Sequence, residues 1–380
     1  MKRLSGVFKE FFRRADLFLL IMCVVCTLFG IVAIRSATLS FHSSKYIIVQ
    51  AFAMCLGLGA FVVFTYLDPD LIADKWMFLT VFSAVFILGL IVFGHDDGTG
   101  NKAWYRFLGI GVQPSEFVKL VFIVVLAKQL TNYRERRELN KFKSILMLAI
   151  HFAFYFGLIV VVSKDLGSAL IFLAIFIVML IAAGVAWYWL GIAAAAVAAV
   201  IPLFWNFLLS DYQKERILVP YIPEVIDPNG TGRGWQAAQT KNALSAGRFW
   251  GVGSGNGSFS QGSFSAKHTD CIFASIGEEM GMIACIAVLI LLTVIIIRCC
   301  VVGLRSGTSF GMLICFGIAA SLAFQVFINT GMCIGITPVI GITLPFFSYG
   351  GSSIVATYLA MGIVSGIKFR PKPQKNFLQL

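Results

Sequence analysis

Long uncharged apolar runs, separated by short charged or polar segments, set the rhythm of this chain. Leu17–Ile34 lies between Asp16 and Arg35, Tyr46–Leu67 between Lys45 and Asp68, and Trp76–His95 follows. Phe107–Ala127 is the fourth run and is interrupted by Glu116 and Lys119; Ser144–Ser163 is the fifth. Leu166–Ser210 carries no charge and is long enough for two helices with a tight turn near Gly184–Trp189. Met280–Ile297 is the eighth run, beginning earlier, near Asp270. Ser306–Ile367 is again uncharged and accommodates two helices and an apolar connector holding Pro338, Pro345 and Gly350-Gly351. A helix needs about 20 apolar residues to cross the hydrocarbon core. The pattern predicts an all-α polytopic membrane protein with ten transmembrane helices, folded as one integral membrane domain over residues 1–380.

Composition agrees. Hydrophobic residues make up 59% and charged residues 13% of the 380 residues, and the mean hydropathy is +0.88. Soluble domains carry about 25% charged residues, so a soluble enzyme, a disordered chain and a fibrous repeat are excluded. A β-barrel would alternate polar and apolar positions, and these runs are continuous. The first run is long and lacks a small-residue cleavage site, so it reads as a retained helix rather than a signal peptide.

The net charge of +12 is a matter of topology rather than nucleic acid. Basic residues flank the apolar runs as the positive-inside bias requires. With the N-terminus inside, the inner segments receive Lys75, the basic loop at about 128–143, Arg298 and Arg305, and the tail with Lys368, Arg370, Lys372 and Lys375. An even number of spans places both termini in the cytoplasm. The outer face then receives Asp96–Gln113, a long loop at about 210–269, and the connector near Thr330–Gly351.

Those outer segments hold the unusual residues. Pro114 at a first helical turn, followed by Ser115 and Glu116, reads as a helix start. Glu116 and Lys119 are spaced to pair, and charges within a span are functional candidates because they are expensive there. Trp104 is either an interfacial aromatic or part of a site. Arg216, Arg233, Lys241, Arg248 and Lys267 place positive charge outside, against the topological bias, and are either solvated loop charge or partners of an anionic ligand such as a lipid pyrophosphate. Gly251, Gly253, Gly255 and Gly257 lack the βαβ context of a nucleotide fingerprint and read as a tightly turned loop. Asp270, after His268-Thr269, is placed to cap the eighth helix or to serve chemistry. Glu278 and Glu279 lie about 80° and 180° around that helix from Asp270, so no carboxylate dyad of a retaining glycosidase is implied. The nine cysteines read as small packing residues. On residues alone, a transporter, a lipid enzyme and an assembly factor all remain open.

Five segments together resemble the shape, elongation, division and sporulation family of RodA and FtsW. They are Gln113-Pro114-Ser115-Glu116 with Lys119; Asp165-Leu166-Gly167-Ser168-Ala169; Tyr212-Gln213 with Arg216-Ile217; His268-Thr269-Asp270 with Ile272-Phe273 and Gly277-Glu278-Glu279; and Leu344-Pro345-Phe346 through Ser348-Tyr349-Gly350-Gly351-Ser352-Ser353. Ser36-Ala37-Thr38 and Asn329-Thr330-Gly331-Met332 look more like RodA than FtsW. The resemblance implies a peptidoglycan glycosyltransferase that polymerises lipid II at the outer leaflet of the bacterial cytoplasmic membrane. Its substrates and products are lipid II and undecaprenyl-pyrophosphate-linked glycan, and its partner is a class B penicillin-binding protein, a transpeptidase. It places the essential carboxylate on Asp270, the outer tryptophan on Trp104 and the embedded ion pair on Glu116 and Lys119. Arg216, Lys241, Arg248, His268, Ser348 and Tyr349 are the expected supporting residues. A divalent cation (Mg or Mn) is the implied cofactor, with Asp270 a possible ligand, and no organic cofactor is expected. The chain departs from the family pattern at Phe264-Ser265-Ala266, where Leu-Pro-Glu is usual, at Lys164 in place of proline, and at Cys271 in place of phenylalanine. A lipid II flippase, a non-enzymatic scaffold, and a division or sporulation paralogue with the same chemistry are the rival readings.

Overall fold

The computed structural model describes residues 10–95, 102–107, 110–209, 211–227, 232, 234–262 and 264–369. Among them, nine helices are long and apolar enough to cross a membrane. A tenth, Pro114–Glu135, is as long but carries the charges that interrupt its apolar run. In chain order the ten are α1 (Leu17–Ala37), α2 (Lys45–Tyr66), α3 (Trp76–Phe93), α4 (Pro114–Glu135), α5 (Phe142–Ser163), α6 (Leu166–Ala183), α7 (Trp187–Phe207), α8 (Ile272–Leu304), α9 (Ser309–Ile334) and α10 (Gly351–Phe369). The chain is a multi-pass membrane protein.

Local chemistry explains the boundaries. α1 starts where the Asp16 carboxylate accepts from the Leu19 N–H, and α6 starts where Asp165 accepts from the Ser168 N–H. α6 ends at Gly184 with φ +85°, a left-handed cap that glycine adopts without strain, and α7 begins three residues later. α4 runs on to Glu135 and α5 begins at Phe142. The inner connection is therefore 136–141, shorter than the 128–143 read from charge. Lys128 and Arg134 sit on α4 itself, where the helix continues past the apolar run.

The bundle wraps around α9 and α10, most of whose residues are buried, whereas α2, α3 and α7 present apolar side chains outward. Outward-facing apolar residues are normal where lipid is the solvent. Small residues permit close packing: a Cβ on Gly30 would clash with the Phe346 carbonyl, and one on Gly362 with the Phe61 carbonyl. At the inner end, fully buried Asp16 ties three helices together. Arg298 Nε of α8 donates to it at 2.8 Å, Lys368 of α10 stands at 3.3 Å, and Ser365 accepts from its N–H at 3.1 Å.

α8 has 33 residues, about 50 Å of helix, against a hydrocarbon core of about 30 Å. It breaks at Gly281, with φ 81° and ψ 178°. The backbone of 248–253 lies against this break. The Met282 N–H donates to the Arg248 carbonyl at 2.8 Å, and the Val252 and Gly253 N–H groups donate to Glu278 and Glu279 carbonyls at 2.9 and 3.0 Å. Gly251, Gly253 and Gly255 all have positive φ, so the glycine segment is the tight turn that the break requires.

Candidate functional site

The end of the bundle opposite Asp16 brings together segments that lie far apart in sequence. The turn Lys267–Asp270 is held from three directions. From α9, Asn329 Nδ2 donates to the Asp270 carbonyl at 2.7 Å and also to the Ile342 carbonyl at 2.7 Å. From the connector, Ser348 Oγ donates to the Thr269 carbonyl at 2.7 Å and the Tyr349 N–H to the His268 carbonyl at 2.9 Å. From α8, Ser275 Oγ donates to the Lys267 carbonyl at 2.8 Å. The connector is itself clamped by Gln50 of α2, which donates to the Ser348 carbonyl at 3.0 Å and accepts from the Gly350 N–H at 3.2 Å.

Asp270 is not the helix cap that its sequence position allowed. The N-cap of α8 is Cys271, one residue later, and Asp270 stays half-buried in the preceding turn. A Cβ on Gly341 would stand 3.4 Å from Asp270 Oδ2. Gly341 has φ +71°, so both its conformation and its missing side chain let the connector pass beside this carboxylate.

Two groups next to Asp270 were legible by type but not by environment. Lys267 is fully buried; its ammonium donates to Ser40 Oγ at 2.6 Å and to the Ser260 and Gly262 carbonyls at 2.5 and 2.7 Å. It also stands 4.4 Å from the Phe41 ring centroid. Burial lowers its pKa, partly offset by Glu279 and Glu278. Lys267 therefore pins the turn rather than offering a solvated charge. His268 packs its ring on Tyr46, Tyr349 and Phe41 with centroids 4.6, 5.3 and 5.7 Å away. Burial, and then the Lys267 charge, push its pKa down to about 4, so the imidazole is neutral at pH 7. Burial also raises the Tyr349 phenol, with Tyr46 adding to the shift. His268 Nδ1 and Asn329 Oδ1 are buried without a protein hydrogen-bond partner.

A second network adjoins the connector. Buried Asp165 accepts from Gln113 Nε2 at 2.9 Å and from Ser168 Oγ at 2.6 Å, and the Gln113 N–H donates to Ser352 Oγ at 3.2 Å. Gly167 lies against Ile340 and Ile342, where a Cβ would stand 2.9 Å from the Ile340 carbonyl oxygen. Ser115 and Ser168 hydroxyls are 3.0 Å apart. One turn into α4, Glu116 and Lys119 form an ion pair of 2.8 Å, with their side chains only 6% and 7% exposed. Trp104 lies in the neighbouring hairpin of β1 (Tyr105–Phe107) and β2 (Ile110–Val112). Its carbonyl accepts from the His95 N–H at 2.9 Å and its ring lies over Gly111.

The remaining expected residues are less central. Lys241, on the helix Trp235–Gly247, crosses Gly335 at the C-terminus of α9, where a cation meets the negative end of the helix dipole. Arg248 is exposed and takes φ 47° beside the α8 break. Arg216 belongs to the short helix Asp211–Leu218; its side chain, like Arg233, lies outside the described residues. Glu278 holds the outer loop: it accepts from the Phe259 and Ser260 N–H groups at 3.0 and 3.1 Å. Sequence reasoning missed the site roles of Asn329, Gln50 and Asp165. A polar side chain inside an otherwise apolar run is the signal that marks the first two.

Among the described residues, no three His, Cys, Asp or Glu side chains form a metal cage. The half-buried Asp270 carboxylate beside Gly341 is a donor of the kind Mg²⁺ takes when it keeps most of its ligands from water and substrate phosphate.

A family model described as cell cycle protein, covering FtsW, RodA and SpoVE, matches residues 16–372. The probable peptidoglycan glycosyltransferase FtsW of Geobacter metallireducens is 33% identical over 378 residues, covering 94% of this chain and 96% of its own. The peptidoglycan glycosyltransferase MrdB of Escherichia coli K12 is 31% identical over 318 residues, covering 83% of each chain. A chain from a solved structure described as "structural coordination of polymerization and crosslinking by a peptidoglycan synthase complex" superposes with a TM-score of 0.79 at 27% identity, covering 93% of this chain and 97% of that one. The rod shape determining protein RodA of Thermus thermophilus shares the fold, with a TM-score of 0.69 at 24% identity, covering 93% of this chain and 96% of its own.

Proposed function

This chain belongs to the FtsW, RodA and SpoVE family of cell cycle proteins and is a peptidoglycan glycosyltransferase; we propose that it polymerises lipid II in cell elongation, from an active site on the outer face of the cytoplasmic membrane centred on Asp270. The observation that carries this reading is the convergence of α8, α9 and the 335–350 connector on the Asp270 turn, with α6 packed against the connector. Four backbone and side-chain bonds hold that turn while Asp270 itself stays only half-buried.

The chemistry is a direct displacement. A hydroxyl of the acceptor sugar attacks the anomeric carbon of the donor glycan, the C–O bond to the lipid pyrophosphate breaks with inversion, and Asp270 takes the hydroxyl proton. A base must stand within hydrogen-bond reach of that proton, which demands a turn as firmly held as this one. The departing pyrophosphate needs positive charge, for which Lys241 and Arg248 are the outer candidates. In the alternative role of Asp270 as a metal ligand, its carboxylate would hold a divalent cation that supplies positive charge for the departing pyrophosphate. Neutral His268 and buried Lys267 set the position of Asp270 rather than exchange protons at neutral pH.

The synthase-complex relative acts in an assembly that couples polymerization and crosslinking. We propose the same for this chain, with a class B penicillin-binding protein as the crosslinking partner. Purified protein given lipid II should form glycan strands and should not move lipid II across liposomes. Translocation without polymerisation would replace this reading with a flippase. A cysteine at Asn256, in a background without reactive outer thiols, should label from outside intact cells; labelling only after permeabilisation would invert the topology.

A further inference from the structure

α3 and α4 part along one seam, leaving a cavity at each of two depths. The inner cavity, about 350 Å³, is lined among others by Trp76, Lys128, Asn132, Tyr133 and Arg136. The second cavity, also about 350 Å³, is apolar and is lined by Phe82, Phe86, Phe117 and Val121. Its one hydroxyl, that of Ser83, is already bonded to the Tyr155 hydroxyl at 2.7 Å. Between the two runs an outward apolar face of α3, with Met77 63%, Phe78 68% and Val81 59% exposed. The rings of Phe78, Phe82 and Phe86 stack along it at 6.1 Å intervals.

The inner cavity favours an anion. Lys128 is paired with Asp74 at 2.9 Å, and exposed Arg136 adds a second cation, leaving the lining positive. α3 also starts here, and its N-cap Lys75 provides no side-chain hydrogen bond, so first-turn N–H groups add to the positive end. Along α4, Val121 is seven residues from Lys128, about 10 Å. That distance lies within one leaflet, half of a core about 30 Å thick. A polar head in the inner cavity and one acyl chain on the phenylalanine ladder would therefore fill both cavities. A water-soluble anion would fill only the first and make no use of the apolar second cavity.

We propose that this seam is a binding site for an anionic phospholipid, with its phosphate at Lys128 and Arg136 and one acyl chain laid along Phe78 and Phe82 to Phe117 and Val121. That the lipid comes from the cytoplasmic leaflet rests on the topology proposed above; the binding site itself does not. Basic pockets between membrane helices hold acidic lipid heads in this way.

The test uses purified full-length protein in detergent, titrated with phosphatidylglycerol, phosphatidylcholine or glycerol 3-phosphate. Retained lipid is counted by native mass spectrometry, and thermal unfolding is followed in parallel. One phosphatidylglycerol per chain should be retained in preference to phosphatidylcholine, while glycerol 3-phosphate should neither bind comparably nor raise the unfolding temperature. Arg136→Gln, at an exposed position, should weaken phosphatidylglycerol about five-fold, from about 1 kcal/mol per cation. Val121→Phe should weaken it by narrowing the chain cavity, with Arg136 intact. Equal retention of the two lipids, equal binding of glycerol 3-phosphate, or unchanged affinity in Arg136→Gln would overturn the proposal.

Discussion

Removing one partner of the Glu116–Lys119 pair should harm the protein more than removing both. Glu116 and Lys119 are 4% and 5% exposed and bonded at 2.8 Å on one helix face. Neither can reach bulk water without unpacking α4 from its neighbours. Glu116→Ala therefore leaves a buried ammonium, and Lys119→Ala a buried carboxylate beside Asp165. Breaking a buried pair in this way costs roughly 3–5 kcal/mol. Replacing both removes two desolvation penalties along with their attraction, which is often close to neutral. Glu116→Gln and Lys119→Met keep the volumes, and these two single changes with their double form the cycle. The assay is reversible unfolding in mixed micelles, scored as a double-mutant cycle, with polymerisation of lipid II measured on the same preparations. The expected coupling is at least 2 kcal/mol in magnitude, within the range for contacting residues. Additive losses would refute the pairing argument.

Other consequences are open to direct measurement. A Cβ on Gly247 would overlap the Gly277 carbonyl, so Gly247→Ala should push the helix Trp235–Gly247 off α8 and cost about 1–3 kcal/mol, as overpacking does; an unchanged unfolding temperature would show that the contact yields. His268 has its pKa depressed to about 4 from an unfolded value near 6.5. Its contribution to stability is full above pH 6.5 and is lost as pH falls toward 4, at no more than about 1.4 kcal/mol per pH unit. His268→Gln should flatten that limb of the stability–pH curve, and an identical curve would remove His268 as its source.

The apolar runs were legible because the bilayer imposes one length on every span and one sign bias on alternate loops. Even the interrupted fourth run was readable, since Glu116 and Lys119 fall one turn apart. The inner end of α4 was less so: Lys128 and Arg134 look like loop residues by charge, yet the backbone continues helical to Glu135. The site was legible as residue types and opaque as environments. Lys267 reads as a solvated outer charge until Ser40 and the Ser260 and Gly262 carbonyls close around it. Asp16 marks a helix start in sequence and an ion cluster of three helices in space. Asp270 is a possible cap by position, and the backbone assigns the cap to Cys271 instead. In each case partners far away along the chain decide the role, and one-dimensional spacing carries no information about them.

The central claim is that the Asp270 carboxylate performs chemistry rather than holding the turn. Asp270→Asn keeps the size of the side chain and the Asn329 bond to the backbone carbonyl, and removes only the charge. The measurement is glycan-strand formation from lipid II by purified variant and wild type at matched amounts, with thermal stability followed on the same samples. A variant as stable as wild type with turnover reduced about 10²-fold or more, the scale of an acid–base group, is the predicted result. Near-wild-type polymerisation by a stable Asp270→Asn protein would contradict it.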